Sequence, residues 1–202
     1  MIRFTDNIFF RLMGRMADLV ILNLLWLCCS LPVVTMGAAT AALYSVMLRL
    51  VKNEEGYIFS SFFKAFRENF IQSTLLWILL LAGGIMLGAD LWILGLQPRL
   101  SWLRFPLVVL LCLILSISIY ALALQARFEN TVRNTLKNAC ILTFAKLPYT
   151  FLLLILTAGP VILTFSSLRS MAMGLIFWSL MGVSLVSYLN SQILRRIFDS
   201  LS

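Results

Sequence analysis

Residues 17–48, ADLVILNLLWLCCSLPVVTMGAATAALYSVML, decide the fold. The stretch is apolar for more than thirty residues and is interrupted once, by Ser30-Leu31-Pro32. Proline lacks an N–H and disfavours helix in the residue before it, so a turn here divides the stretch into two helices of modest length. Each half is then a separate membrane span. If Pro32 marked only a kink or a surface re-entry, one span would be lost and every later loop would change sides.

Charge decides between these arrangements. With the division, six apolar stretches follow, over residues 17–31, 33–48, 74–96, 103–124, 147–165 and 171–194. With the N-terminus in the cytoplasm, thirteen of the sixteen basic residues fall inside. They are Arg3, Arg11, Arg15, Arg49, Lys52, Lys64, Arg67, Arg127, Arg133, Lys137, Lys146, Arg195 and Arg196. Only Arg99, Arg104 and Arg169 fall outside. Cytoplasmic loops retain positive charge during insertion, and a five-span arrangement gives no better than ten to six. The expected fold is therefore an all-α membrane bundle of six helices in three hairpins, with cytoplasmic amphipathic helices and both termini cytoplasmic.

Composition agrees. The chain has 202 residues, one domain by length (1–202), and an apolar fraction of 61% that a soluble fold could not hide. Its mean hydropathy is +0.99. The net charge of +8 lies in short segments beside apolar spans, where lipid headgroups are the natural partner, and this layout argues against nucleic-acid binding. Four cysteines form no C-x-x-C pair, and there is no histidine, the commonest general base and metal ligand. No paired carboxylates, P-loop or metal-spaced cluster is visible, so neither enzyme activity nor a cofactor is expected. The basic start and the apolar core at 19–29 resemble a signal peptide, but the apolar run continues past the expected cleavage site, so the first span is expected to be retained.

Within the spans, residues 33–48 are rich in small side chains, Gly37, Ala38, Ala39, Ala41, Ala42 and Ser45, which let backbones approach where lipid supplies no drive for association. This helix is expected inside the bundle. A second small patch holds Gly83 and Gly84-x-x-x-Gly88. Asp90, past the middle of span three, is the intramembrane ionisable group that most invites a functional role, as a cation or proton site. Snorkelling outward or pairing with Arg99 or Arg104 accounts for it more simply, because transport usually needs several polar groups at midplane.

Two inner loops are amphipathic. Residues 60–72, SSFFKAFRENFIQ, place Phe62, Phe63, Phe66 and Phe70 at helical spacing with Phe59, and Lys64, Arg67, Glu68 and Asn69 between them. Residues 130–146 do the same before span five. Such faces bind either headgroups or a partner, and Phe62, Phe63, Phe66, Arg67 and Phe70 are the docking candidates.

The run Leu31-Pro32-Val33-Val34-Thr35-Met36-Gly37-Ala38-Ala39-Thr40-Ala41-Ala42-Leu43-Tyr44, with Phe63–Phe70, Trp77, the Arg133–Asn138 segment and Leu147-Pro148, resembles the YesL-like family of bacterial integral membrane proteins. Pro32, Thr35, Gly37 and Thr40 carry the most specific part. The resemblance implies a membrane protein carrying a domain of unknown function. Its relatives are often encoded beside carbohydrate-uptake ABC systems and polysaccharide-degrading enzymes. The function it implies is an accessory subunit that touches ABC transporter components. The second reading is a small-solute transporter or channel, as a homodimer, with Asp90 on its path; a scaffold or sensor is the third. The resemblance supplies no catalytic residues.

Overall fold

The computed structural model describes residues 8–52, 56–128 and 130–199. They are helical nearly throughout and include no strand. In chain order the helices are α1 (Ile8–Ser30), α2 (Met36–Val51), α3 (Ile58–Gly95), α4 (Arg104–Arg127), α5 (Val132–Ala145), α6 (Leu147–Thr164), α7 (Leu168–Phe177) and α8 (Val183–Asp199). Six helical stretches are long and apolar enough to cross a membrane: those of α1, α2 with the tight turn before it, α3, α4, α6, and α7 continued into α8. The multi-pass character read from the sequence is borne out.

The division at Pro32 is real. α1 ends at Ser30, and a single 3₁₀ turn, Val33–Thr35, starts the next helix. That turn and α2 together span about 30 Å at roughly 2.0 and 1.5 Å per residue, the thickness of a hydrocarbon core. α2 is the inner helix, as its small residues predicted. Of its apolar stretch 61% is buried, against 11% for α6. Around it lie two apolar clusters. Leu19 and Leu22 of α1 meet Leu43, Val46 and Met47 of α2 and Phe62 of α3 in one. In the other, Tyr44 and Leu48 meet Leu76 and Leu80 of α3, Tyr120 to Leu124 of α4, and Leu194 and Phe198 of α8. The outer surface is the reverse of a soluble protein's: Ile85, Met86, Trp92, Phe105, Ile155 and Leu168 are all well exposed, as side chains facing lipid should be.

The two amphipathic segments differ. Residues 59–72 continue without a break into span three, and α3 runs for 38 residues in all. Its length is about 57 Å, and it far exceeds the roughly 20 residues that cross a bilayer. The second segment is cut off from span five. Lys146 leaves the helical region (φ −121°, ψ 45°), and Pro148 then sits in the first turn of α6, where its missing N–H costs nothing. The likeness between the two segments is thus one of composition, not of connection.

The last span is also discontinuous. Between α7 and α8, residues Trp178–Gly182 form a π-helical turn. Asn23, fully buried in α1, holds it: its Nδ2 donates to the carbonyl oxygens of Trp178 (3.0 Å) and Ser179 (2.9 Å), and its Oδ1 accepts from the Ser184 N–H (3.1 Å). One side chain thereby binds three backbone groups in and just beyond the π turn, where the α-helical ladder is interrupted.

Candidate functional site

The residues carrying the family resemblance come together in one joint. Thr35 Oγ1 lies 2.6 Å from the Cys29 carbonyl oxygen and 2.8 Å from that of Pro32, closing the end of α1 over the turn. Trp26 Nε1 donates to Thr40 Oγ1 (3.0 Å), tying α1 to α2. Trp77 reaches in from α3 and donates through Nε1 to the Val33 carbonyl oxygen (2.9 Å). Gly37 makes this possible, because a Cβ there would stand 2.5 Å from the Ser73 carbonyl oxygen and closer still to the Trp77 Cβ. Pro32, Thr35, Gly37 and Thr40 therefore build a three-helix joint.

The docking candidates separate by helix face. Phe62 is fully buried against α1 and α2, and Phe63 and Phe66 pack partly against the same cluster. Phe62 is thus not presented to a partner: the apolar face of residues 59–72 is covered by the chain's own first two helices, a tertiary contact that local periodicity does not reveal. Arg67 is exposed, and Phe70 and Phe59 are 36% and 63% exposed. The face left open is their edge of the helix.

Asp90 is half-buried on α3 and has no hydrogen bond or ion pair among the described residues. The expected pair with Arg104 does not form. Arg104 Nη2 donates instead to the Leu94 (2.9 Å) and Gly95 (3.1 Å) carbonyl oxygens, closing the C-terminal end of α3 where helix carbonyls lack partners. The side chain of Arg99 lies outside the described residues. Nothing stands within 4 Å of a Cβ built at Gly84 or Gly88, so that patch faces away from the rest of the chain, while Gly83 faces Ile114 of α4.

A polar concavity lies elsewhere, where α2, α4 and α8 end. A cavity of about 190 Å³ is lined by Ser45, Arg49, Lys52, Arg127 and Arg195. A larger cleft of about 580 Å³ shares Ser45, Arg49 and Arg127 and adds Glu68, Gln72 and Gln125 among others. Its floor is an amide relay: the Gln125 Nε2 donates to Gln72 Oε1, and Gln125 Oε1 accepts from Thr135 Oγ1 (3.0 Å). Arg127 pairs with Asp199 (3.0 Å) and lies over the rings of Phe128 and Phe198. Arg195 donates to the Val51 carbonyl oxygen (3.0 Å) and pairs with Asp199 (3.4 Å). Arg49 and Lys52 are exposed and have no such partner among the described residues.

Sequence reasoning counted these four cations as markers of orientation and did not see that they meet. The signal present was Arg49 and Arg127 in the last turns of α2 and α4 and Arg195 just before the last turn of α8. Gln125, a buried amide two residues before the end of α4, went unremarked. Two serines of α4 make the backbone bond common to serine in a membrane helix. Ser116 and Ser118 donate to carbonyls four residues earlier, both at 2.8 Å.

No solved structure matches the chain. It is similar to "Uncharacterized protein YteU" of Bacillus subtilis (strain 168), 30% identical over 144 residues, which are 68% of this chain and 64% of that protein. The chain thus spans a little under two thirds of the length of this curated relative. Residues 19–91, from α1 through most of α3, match the family described as "Protein of unknown function, DUF624". That segment contains the whole Pro32–Trp77 joint, and the match is in keeping with the chain's resemblance to the YesL-like proteins.

Proposed function

We propose that the protein is a non-catalytic accessory subunit of an ABC-type carbohydrate-uptake system. It lies in the plasma membrane as three hairpins with both termini cytoplasmic. The thirteen-to-three charge asymmetry supports the orientation, and the resemblance to YesL-like proteins supports the association. One structural observation favours docking most. α5 is too short and too polar to cross a bilayer, and it packs Ala139 and Leu142 against α4. It leaves Ile141 (54%) and Phe144 (55%) exposed beside exposed Arg133 and Lys137. An apolar ridge with a basic rim suits a partner's helix or groove. Of the two inner segments expected to dock a partner, 59–72 and 130–146, the second keeps its apolar ridge open, while Phe62 of the first is covered.

Co-expression with a carbohydrate-uptake ABC transporter tests this. The transporter is expected to co-purify with the protein, and Ile141→Glu with Phe144→Glu to cut recovery about tenfold, as losing a hot spot does. If the transporter neither co-purifies nor changes its uptake rate when this protein is removed, the proposal is wrong.

A second reading rests on the unpaired Asp90 and the uncovered Gly84 and Gly88 on α3: a solute path between two copies. Asp90→Asn separates the two. An accessory subunit keeps transporter recovery and uptake within about twofold, whereas a transporter loses flux by roughly tenfold or more, the cost of removing an ionisable site.

A further inference from the structure

The cation-lined cavity between the ends of α2, α4 and α8 contains more positive charge than the chain's own contacts employ. Arg195 is spent on the Val51 carbonyl and on Asp199, and Arg127 on Asp199 and two aromatic rings. Helix C-termini carry partial negative charge, and basic residues often do no more than answer it. Arg49 and Lys52, at the end of α2, answer it through space alone. They line the same 190 Å³ cavity as Arg127 and Arg195, yet they donate to no carbonyl and pair with no carboxylate among the described residues. Among the described residues no acidic side chain lines this smaller cavity; Glu68 lies on the wider cleft beyond it.

Four cations around one space repel one another, and a space of this size holds about six water volumes at roughly 30 Å³ each, more than one phosphate group needs. Arginine forks match phosphate oxygens in pairs, and lysine adds a compact third charge. We propose that this cavity binds a phosphate-ester anion, with Arg49 and Lys52 as its principal ligands, Arg127 and Arg195 as a fixed positive wall, and the Ser45 hydroxyl as a neutral donor. A phospholipid headgroup and a soluble phosphate ester share this chemistry.

The test uses the full chain in detergent, with Tm and apparent Kd measured by thermal shift. The probes are dioleoylphosphatidylglycerol, dioleoylphosphatidylcholine as the zwitterionic comparison, and glycerol 3-phosphate. Arg49→Gln with Lys52→Gln breaks no internal contact described above, so this variant is expected to fold. Arg133→Gln with Lys137→Gln removes the same charge from the exposed face of α5. Stabilisation by phosphatidylglycerol over phosphatidylcholine, weakened about tenfold in the Arg49/Lys52 variant and not in the other, identifies a lipid headgroup site. The same pattern with glycerol 3-phosphate identifies a soluble ester. Binding of neither probe, or equal weakening in both variants, overturns the proposal.

Discussion

Gly37→Ala is expected to cost about 3 kcal/mol, the upper end of what overpacking one methyl usually costs, because the obstruction is partly backbone. The new Cβ would meet the Ser73 carbonyl oxygen at 2.5 Å, and the Trp77 Cβ closer still. A flexible side chain would turn aside, but a carbonyl in the middle of a long helix cannot. α2 and α3 would have to separate, and the Trp77 bond to the Val33 carbonyl would stretch with them. The measurement is Tm in detergent together with the monodisperse fraction on size exclusion. Gly84→Ala is the internal comparison. It adds the same methyl to α3 where no atom of another element stands near. Removing a helix-interior glycine there is expected to leave stability unchanged or raise it by up to about 1 kcal/mol. Equal melting of the two variants would show that the close approach at Gly37 is not what holds these helices together.

The second large effect is expected at Asn23. Leucine is nearly its size but takes the amide donor from the Trp178 and Ser179 carbonyls and the acceptor from the Ser184 N–H, in a water-free interior. Each unsatisfied buried group costs about 1–3 kcal/mol, while measured side-chain hydrogen bonds within membranes average only about 0.6 kcal/mol. The larger scale decides here, because one substitution removes three bonds to backbone groups and the buried Ser184 N–H loses its acceptor. Asn23→Leu is expected to lose about 2–4 kcal/mol, read as a lowered Tm, with hydrogen exchange at Ser184 accelerated well beyond that of the rest of α8. If exchange at Ser184 stays slow, the turn has found other partners and Asn23 does not maintain it.

Both residues stood in plain view in the sequence, with unequal information about each. Small residues at 37–42 announced a buried helix, because side-chain size has one dominant use in a bilayer, and α2 is indeed the innermost. The partner helix was not legible: only the folded chain brings Ser73 and Trp77 to Gly37. The same limit applies to Phe62. Its periodicity marks an apolar face, but whether lipid, partner or the chain's own α1 and α2 covers that face is a question of long-range packing. The π turn left no local signal, since Trp178–Gly182 reads like any other piece of span, and its one clue was an asparagine 155 residues away in span one. The basic cleft was half legible. Every cation was counted, but topology counting records which side a charge lies on and not which charges share a wall.

The Pro32–Trp77 joint also bears on how the chain is made. The Trp77 indole lies 44 residues beyond the carbonyl it answers. At about 5–20 residues per second, synthesis leaves roughly 2–9 s in which the first two helices exist without the third. During that interval the Val33 carbonyl and the small face of α2 await α3, a natural moment for a chaperone or insertase to hold them. Only when Trp77 arrives is the entry pair locked, so the joint acts as a latch that the nascent protein closes late.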